Sequence, residues 1–445
     1  MIDEDEFGPT EYGEPEQPAR KSRRKGAHLR VAVQSDELWR EGLDHDAKGE
    51  PRKTAGNGSI ALQNLPQWSG LRYDKFRQVP SLSGAPVIPG FDPPREGPLD
   101  DYSITFIGHW LSKREQICLG EGAVATAAEV ASKAQSRAFH PIREYLEALT
   151  WDGEERLETW LTVYLGTPDS EFARIVGRMW MISAVARVMR PGCQADHMLI
   201  LEGNQGDGKS TALEALAGQQ YFADTGLTVG DKDSYQGLRG KWIYELGELD
   251  SLKGREVTRV KNFVSARVDN YRKSYGTGNA DYPRQLVFAG TTNESHYLTD
   301  PTGNRRFWPV KTGKAGPIRI DLVKRDRDQL WAETLHRYLS HETWHITDKR
   351  VRELSKAEQA DREMEDVWLS PVSEWLRMPA GIRAHTEGVS IAEVLGLALK
   401  MDAKDQEHRD SIRMGKVLGD LGFTMKPGRG KPRKYWKPPE GEDPF

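Results

Sequence analysis

The chain has 445 residues, enough for roughly two to four folded units and for a sizeable core. Hydrophobic residues make up 37% and charged residues 29%, and no run approaches the ~18 apolar residues of a bilayer-spanning helix, so no membrane segment is expected. The net charge of -4 and two cysteines, Cys118 and Cys193, leave neither a uniformly basic surface nor a disulfide framework nor a cysteine-built zinc site, and they fit a reducing compartment.

The first sixteen residues carry seven acids and no base, after which RKSRRKGAHLR, from Arg20, is purely basic. This blocky tract predicts a disordered tether over residues 1–50, and it lacks the apolar stretch of a secretion signal, so a cytoplasmic location is expected. Residues 51–100 read as a small accessory segment. It holds one short helix and a strand in GSIALQNLPQWSGLRYDKF, then a Pro- and Gly-rich stretch from Val79 to Asp101 that predicts no regular structure. Between 101 and 190, apolar residues recur at helical spacing, which predicts a helical domain. Residues 191–320 alternate short apolar strands with helices, the pattern of an α/β core. Helices return over 321–384. The last segment, 385–445, reads as helix, helix, strand, basic turn, strand, the order of a small winged helix with KPGRGKPRK as its wing. Nine Lys or Arg stand against two Asp from Arg409 to Lys437. Lys426, Arg429, Lys431, Arg433 and Lys434 are therefore candidate phosphate-backbone contacts, although a solvated tail has the same composition.

The core contains a complete G-x-x-x-x-G-K-[ST] pattern: Gly203, Asn204, Gln205, Gly206, Asp207, Gly208, Lys209, Ser210. HMLILEG before it reads as a buried strand and KSTALEALA after it as a helix, so backbone N–H groups and the helix N-terminus can converge on phosphate oxygens. Lys209 is then positioned to bridge the β- and γ-phosphates, Ser210 to ligate Mg²⁺, and Thr211 to complete the ATP-binding set. This is the phosphate loop of a P-loop NTPase core.

A phosphate loop needs an acid at the end of a neighbouring strand, and KWIYELGELD supplies Glu245 and Glu248. Glu245 is assigned to the metal and Glu248 to activation of the attacking water, and the sequence alone permits the reverse order. A third strand, RQLVFAGTTNE, ends at Thr291, Thr292 and Asn293, where an amide can orient the lytic water. DPTGNRRFWPV then places Arg305 and Arg306 between a turn and an aromatic anchor. Arginine is suited to stabilising charge on a transferring phosphoryl group.

These runs, together with HPIREYLEALTWDGEERLETWL and SAVARVMRPGCQADHM upstream, resemble the virulence-associated protein E family of phage- and plasmid-borne P-loop ATPases, over roughly residues 100–345. Such proteins are similar to superfamily three replicative helicases with an AAA+-like core. The resemblance implies that Asn293 is a sensor and that Arg305 or Arg306 reaches the ATP of a neighbouring subunit in a homo-oligomeric ring, a hexamer. It also implies a DNA-contacting hairpin between the acids and the sensor strand. In RVKNFVSARVDNYRKSYGTGNADYPRQ, Lys261, Arg267, Arg272 and Lys273 would supply cations for single-stranded or forked DNA, with Tyr271 and Tyr275 offering stacking surfaces. Some relatives carry a primase domain. Here the nearest acidic pair, Asp44 and Asp46, lies in a polar segment without a strand, so priming is expected of a separate protein.

Three functions fit these residues: a DNA-dependent ATPase and helicase-like motor, an NTP-dependent switch or loader on DNA that does not unwind, and a phosphotransferase, which a phosphate loop alone permits. The arginine pair and the basic C-terminal segment argue against a small-molecule acceptor.

Overall fold

The described residues reach into the expected tail. Leu38–Gly42 forms a short 3-10 helix, and the buried Asn57 amide clamps the chain that follows, donating to Asp44 O at 2.8 Å and Arg52 O at 3.0 Å. Residues 38–50 are therefore not part of a tether, because a buried amide with both backbone partners satisfied fixes them. The computed structural model describes residues 38–226, 232–248, 255–272, 278–298, 303–363, 366–426 and 434–436. The acidic and basic tract of residues 1–37 lies outside them. The chain divides into two units, Met1–Tyr145 and Leu146–Phe445.

In the first unit, α1 (Ala55–Asn64) starts at Thr54, whose hydroxyl accepts from Asn57 N. Strands β1 (Leu71–Asp74), β2 (Val79–Leu82) and β3 (Gly97–Pro98) follow, then α2 (Asp101–Glu115), α3 (Glu121–Ser132) and β4 (Ala138–Phe139). The sheet order is β3-β2-β1-β4. The stretch from Val79 to Asp101, expected to be irregular, thus supplies two strands. Pro80 is tolerated within β2 because the sheet uses its carbonyl, which accepts from Leu99 N at 3.1 Å, and not the N–H it lacks. Trp68, Phe106, Trp110 and Leu111 form the core with the alanines of α3, and Trp68 meets Trp110 edge-on at 5.5 Å. Helix α4 (Pro141–Ala148) contains the division between the units.

The second unit is a mixed α/β fold around a five-stranded sheet in the order β11-β5-β10-β7-β6. Helices α5 (Trp160–Leu165) and α6 (Glu171–Met189) precede β5 (Met198–Glu202), α7 (Lys209–Ala217), β6 (Phe222–Ala223), α8 (Lys232–Gly237) and β7 (Ile243–Leu246). Then come α9 (Arg255–Ser265), the antiparallel hairpin β8 (Val268–Tyr271) and β9 (Ala280–Pro283), β10 (Val287–Thr292) and β11 (Phe307–Lys311). All four pairings in the five-stranded sheet are parallel. Strands β5, β7 and β10 are buried at every residue, which is why their sequences read as continuous apolar runs and not as alternation.

A boundary was expected between a helical domain ending at 190 and the core. Instead α6 belongs to the core. The indole of Trp180 donates to Phe288 O at 2.9 Å on β10, and that of Trp242 donates back to Ala184 O at 3.0 Å. Helix α10 (Ile320–Leu339) is also a layer of this unit: Trp331 stacks on Trp242 at 4.1 Å and donates to Leu216 O at 2.9 Å. Amphipathic helices flanking a parallel sheet must bury their apolar stripe against it, so sequence-adjacent helices join the sheet and do not form a domain of their own.

After α11 (Lys349–Ala360) come α12 (Leu369–Arg377), α13 (Pro379–Thr386), α14 (Ile391–Leu397), α15 (His408–Asp420), β12 (Thr424–Lys426) and β13 (Lys434–Trp436). The two strands pair antiparallel. The C-terminal cluster was expected to start at 385, yet it includes Val372, Trp375 and Leu376 of α12, packed with Val394, Met414 and Val417. The bidentate pair of Arg413 with Asp366, at 2.7 and 2.8 Å, ties it further upstream. Among the described residues no helix is long and apolar enough to cross a membrane.

Candidate functional site

Five parallel strands direct their C-terminal ends to one edge of the sheet, and the loop between β5 and α7 lies there. Gly206 and Gly208 adopt φ of 85° and 90°, a left-handed backbone that a side chain would strain. Gly203 faces Thr312, whose hydroxyl a Cβ would meet at 2.6 Å. Asp207 braces the turn by accepting from Asn204 N at 2.9 Å. Gln205 is exposed at the loop's crest, and Thr211 is exposed in the first turn of α7.

Lys209 is 7% exposed and folds its ammonium back over the loop, donating to Gly203 O and Asn204 O at 2.8 Å each and to Asn293 Oδ1 at 3.2 Å. Burial lowers its pKa from the ordinary value, opposed by the charges of Asp207 and Glu245. Asn293 follows the end of β10, so the sensor candidate and the loop lysine meet directly.

Glu245, third residue of β7, is 3% exposed. Its Oε1 accepts from Ser210 Oγ at 2.8 Å and from Thr291 Oγ1 at 2.5 Å, while its Oε2 is buried without a hydrogen-bond partner. An orphaned, buried carboxylate oxygen beside a serine hydroxyl has the chemistry of a Mg²⁺ site, because hard oxygen ligands suit that ion and an unsatisfied buried acceptor is costly on its own. Thr291 was noted only as a strand end. Its place on β10, two residues past Ala289, which is in register with Glu245 on the neighbouring parallel strand, lets its hydroxyl reach that carboxylate. Glu248 stands beyond the end of β7, exposed, with φ of 50°.

The arginine pair is at the other end of the sheet. Arg305 and Arg306 precede β11, whose first residue, Phe307, is in register with Met198, the first residue of β5. The length of β5, about 15 Å, therefore separates them from their own glycine loop. Arg306 donates through Nε to Ser265 Oγ, whereas Arg305 is exposed.

The hairpin candidates divide. Arg272 is exposed at the end of β8, and Arg267 donates to Gly192 O at 2.9 Å while remaining exposed. Lys261 does not fit a surface contact: it is 2% exposed on α9, with its ammonium 5.7 Å from the centre of the Phe307 ring. Tyr271 is 5% exposed and stacks on Tyr282 at 4.4 Å, so it is packing and not a free stacking surface. In both cases the inward face of an amphipathic element captured a residue whose chemistry suggested the surface. The hairpin is fastened at its base by Arg284, buried, which donates to both oxygens of Asp269 at 2.6 and 2.8 Å. Lys273, Tyr275, Arg429, Lys431 and Arg433 lie outside the described residues, as does the side chain of Lys426; Lys434 is exposed on β13 and donates to Glu387 O at 3.3 Å.

One buried network had no sequence signal. Glu202, the last residue of β5, accepts from Arg362 Nε at 2.8 Å, from Arg362 Nη2 at 3.1 Å and from Tyr297 at 2.8 Å. It pins the chain after α11 to the strand that launches the glycine loop.

No curated protein matches the chain. Among solved structures it is similar to the apo A form of the NrS-1 C-terminal region, at 12% identity and a TM-score of 0.43, over 84% of this chain and 98% of that one. A second A-form apo structure of the same region aligns at 14% identity and a TM-score of 0.39, over 65% of this chain and 77% of that one. The model of the Virulence-associated protein E-like domain matches residues 146–364. That stretch holds the glycine loop, both acids, Asn293 and the arginine pair, so this part of the chain is similar to the virulence-associated protein E-like domain.

Proposed function

We propose that the chain is a DNA-dependent, Mg²⁺-requiring ATPase, a helicase-like motor in the replication of a phage or other mobile element, built on a P-loop core of the AAA+ and superfamily three type. The observation that carries this reading is the convergence of Lys209, Ser210, Glu245, Thr291 and Asn293 at the C-terminal ends of three adjacent parallel strands.

In this reading the triphosphate lies along the loop and the N-terminus of α7, whose free N–H groups face it. Lys209 exchanges the loop carbonyls and Asn293 for β- and γ-phosphate oxygens. Ser210 and Glu245 would hold Mg²⁺, which would supply positive charge to neutralise that developing on the phosphates. Release of Asn293 from Lys209 frees its amide to orient water, and Glu248, the exposed acid past β7, accepts the water proton.

The location of Arg305 and Arg306 at the opposite edge of the sheet supports action across a subunit boundary. An arginine that cannot span its own strand can complete a site only in a neighbouring copy, which favours a homo-oligomeric ring. The anchored hairpin with Arg272 exposed and the basic C-terminal hairpin supply the DNA-facing charge.

The test is strand displacement on a forked duplex with ATP, a non-hydrolysable analogue and no nucleotide. ATP-dependent displacement supports the motor. Hydrolysis stimulated by DNA without displacement favours the switch or loader.

A further inference from the structure

The opposite edge of the parallel sheet carries a constellation that the ATPase reading leaves unused. Asp196 and His197 immediately precede β5, and His345 lies in the turn between α10 and α11. One nitrogen of each imidazole and a carboxylate oxygen of Asp196 all lie within 4.8 Å of one another.

Three features distinguish this group from a chance surface cluster. Asp196 Oδ1 and His345 Nδ1 are both buried without a hydrogen-bond partner. Asp196 Oδ1 lies 3.6 Å from His197 Nδ1, too far for a good hydrogen bond yet close to the ~3.4 Å edge between two ligands of a tetrahedral ion bonded at about 2.0–2.1 Å. The frame is fixed on both sides: the His197 ring stacks on Trp308 at 4.1 Å and 14°, and Trp344, next to His345, donates to Gln194 O at 2.8 Å.

We propose that Asp196, His197 and His345 form a binding site for a borderline divalent transition-metal ion, zinc being the reference, with its fourth position open to the adjoining cavity. Two imidazoles and one carboxylate with an open position are a donor set that such ions accept. A neutral imidazole nitrogen donates the lone pair that such an ion takes, so binding should weaken as the pH falls. The cavity, about 560 Å³, is also lined by Arg305, Arg352 and Lys356. These cations suit water or an anionic oxygen as fourth ligand, whereas a bare anion without metal would leave the lone pairs of Asp196 and both imidazoles facing like charge. A bound ion would tie the turn carrying His345 to the start of β5, beside the turn that carries Arg305.

The full-length protein, stripped with chelator, is titrated with Zn²⁺ by calorimetry and with Co²⁺ by visible absorption. One equivalent per chain, tetrahedral-type cobalt bands and a metal-dependent rise in unfolding temperature are expected. His345→Ala and Asp196→Ala should each weaken binding by at least about tenfold, in line with loss of one ligand, and abolish the cobalt bands. His336→Ala, on α10, should leave them intact. Because His345 lies in a turn, its variant keeps the test open even if Asp196→Ala misfolds. Lys209→Ala should bind metal as the parent does, so failure of the ATPase reading leaves this result unaffected. Absence of stoichiometric binding, binding unchanged in His345→Ala, or stabilisation by inorganic phosphate alone with no response to metal would each overturn the proposal.

Discussion

Ser210 and Glu245 meet at 2.8 Å, hydroxyl to carboxylate, across the gap between the first turn of α7 and the middle of β7, and the second oxygen of Glu245 has no partner. In the proposed reading this pair holds Mg²⁺. Glu245→Gln should therefore weaken Mg²⁺-dependent ATP binding, because an amide is a poorer ligand for a hard cation. Glu248→Gln should retain binding and lose about 10²-fold or more in turnover, the usual scale of a general base. Nucleotide binding and phosphate release measured on the same preparations separate the two. The reverse pattern would exchange the roles of the acids.

Arg305 and Arg306 differ in surroundings, so they should differ in effect. Arg305→Ala should bind ATP and hydrolyse it about 10³-fold more slowly, the lower end for an arginine supplied across an interface. Arg306→Ala should chiefly destabilise, since its Nε holds Ser265 at the end of α9. Mixing Arg305→Ala with Lys209→Ala should recover activity at interfaces where one copy supplies the lysine and the other the arginine. No recovery in verified mixed oligomers would count against the ring.

Burial sorts the basic residues of the hairpin region. Arg272→Ala should reduce the slope of log affinity against log salt by about 0.7 on single-stranded DNA or 0.9 on duplex, one phosphate contact's worth. Lys261→Ala should leave that slope alone and lower stability instead. Equal slopes for wild type and Arg272→Ala would remove the hairpin from the DNA surface.

The base of the hairpin offers a stability test. Arg284→Ala strands the Asp269 carboxylate in a buried position and should cost about 3–5 kcal/mol, read from denaturant unfolding of the second unit. Replacing both residues together by apolar ones of similar size should cost less. A near-neutral single substitution would show that Asp269 reaches water.

Truncation depends on where the C-terminal cluster begins. Removal of residues from 366 onward should leave a soluble ATPase with weaker DNA binding. Removal from 385 should instead expose Val372, Trp375 and Leu376, which pack against residues after that point, and should promote aggregation. Light scattering of the two truncations distinguishes them.

What the sequence made legible was local. The glycine loop, its strand and its helix occupy contiguous residues, and the continuous apolar runs of β5, β7 and β10 announce buried parallel strands. What escaped depends on contacts between distant residues. Glu202 and Arg362 meet only because α11 packs at β11 beside β5, and nothing near either residue signals a partner. Lys261 reads as a surface cation until α9 turns that face inward. The helices before residue 190 have the periodicity of a bundle, and only the indoles of Trp180 and Trp242, each bonded across the layer, show that α6 is part of the sheet's core. Periodicity reports that a face is buried and leaves open what buries it.

In the proposed function the cluster around Lys209 turns over Mg²⁺-ATP. Phosphate release by the full-length protein, with and without single-stranded DNA, beside Lys209→Ala purified in parallel and shown to be folded, tests it most directly. Mg²⁺-dependent release by the parent, stimulated by DNA, and none above background for the variant, is the expected result. Equal release by both proteins, or none by the parent with Mg²⁺, ATP and DNA all present, would contradict it.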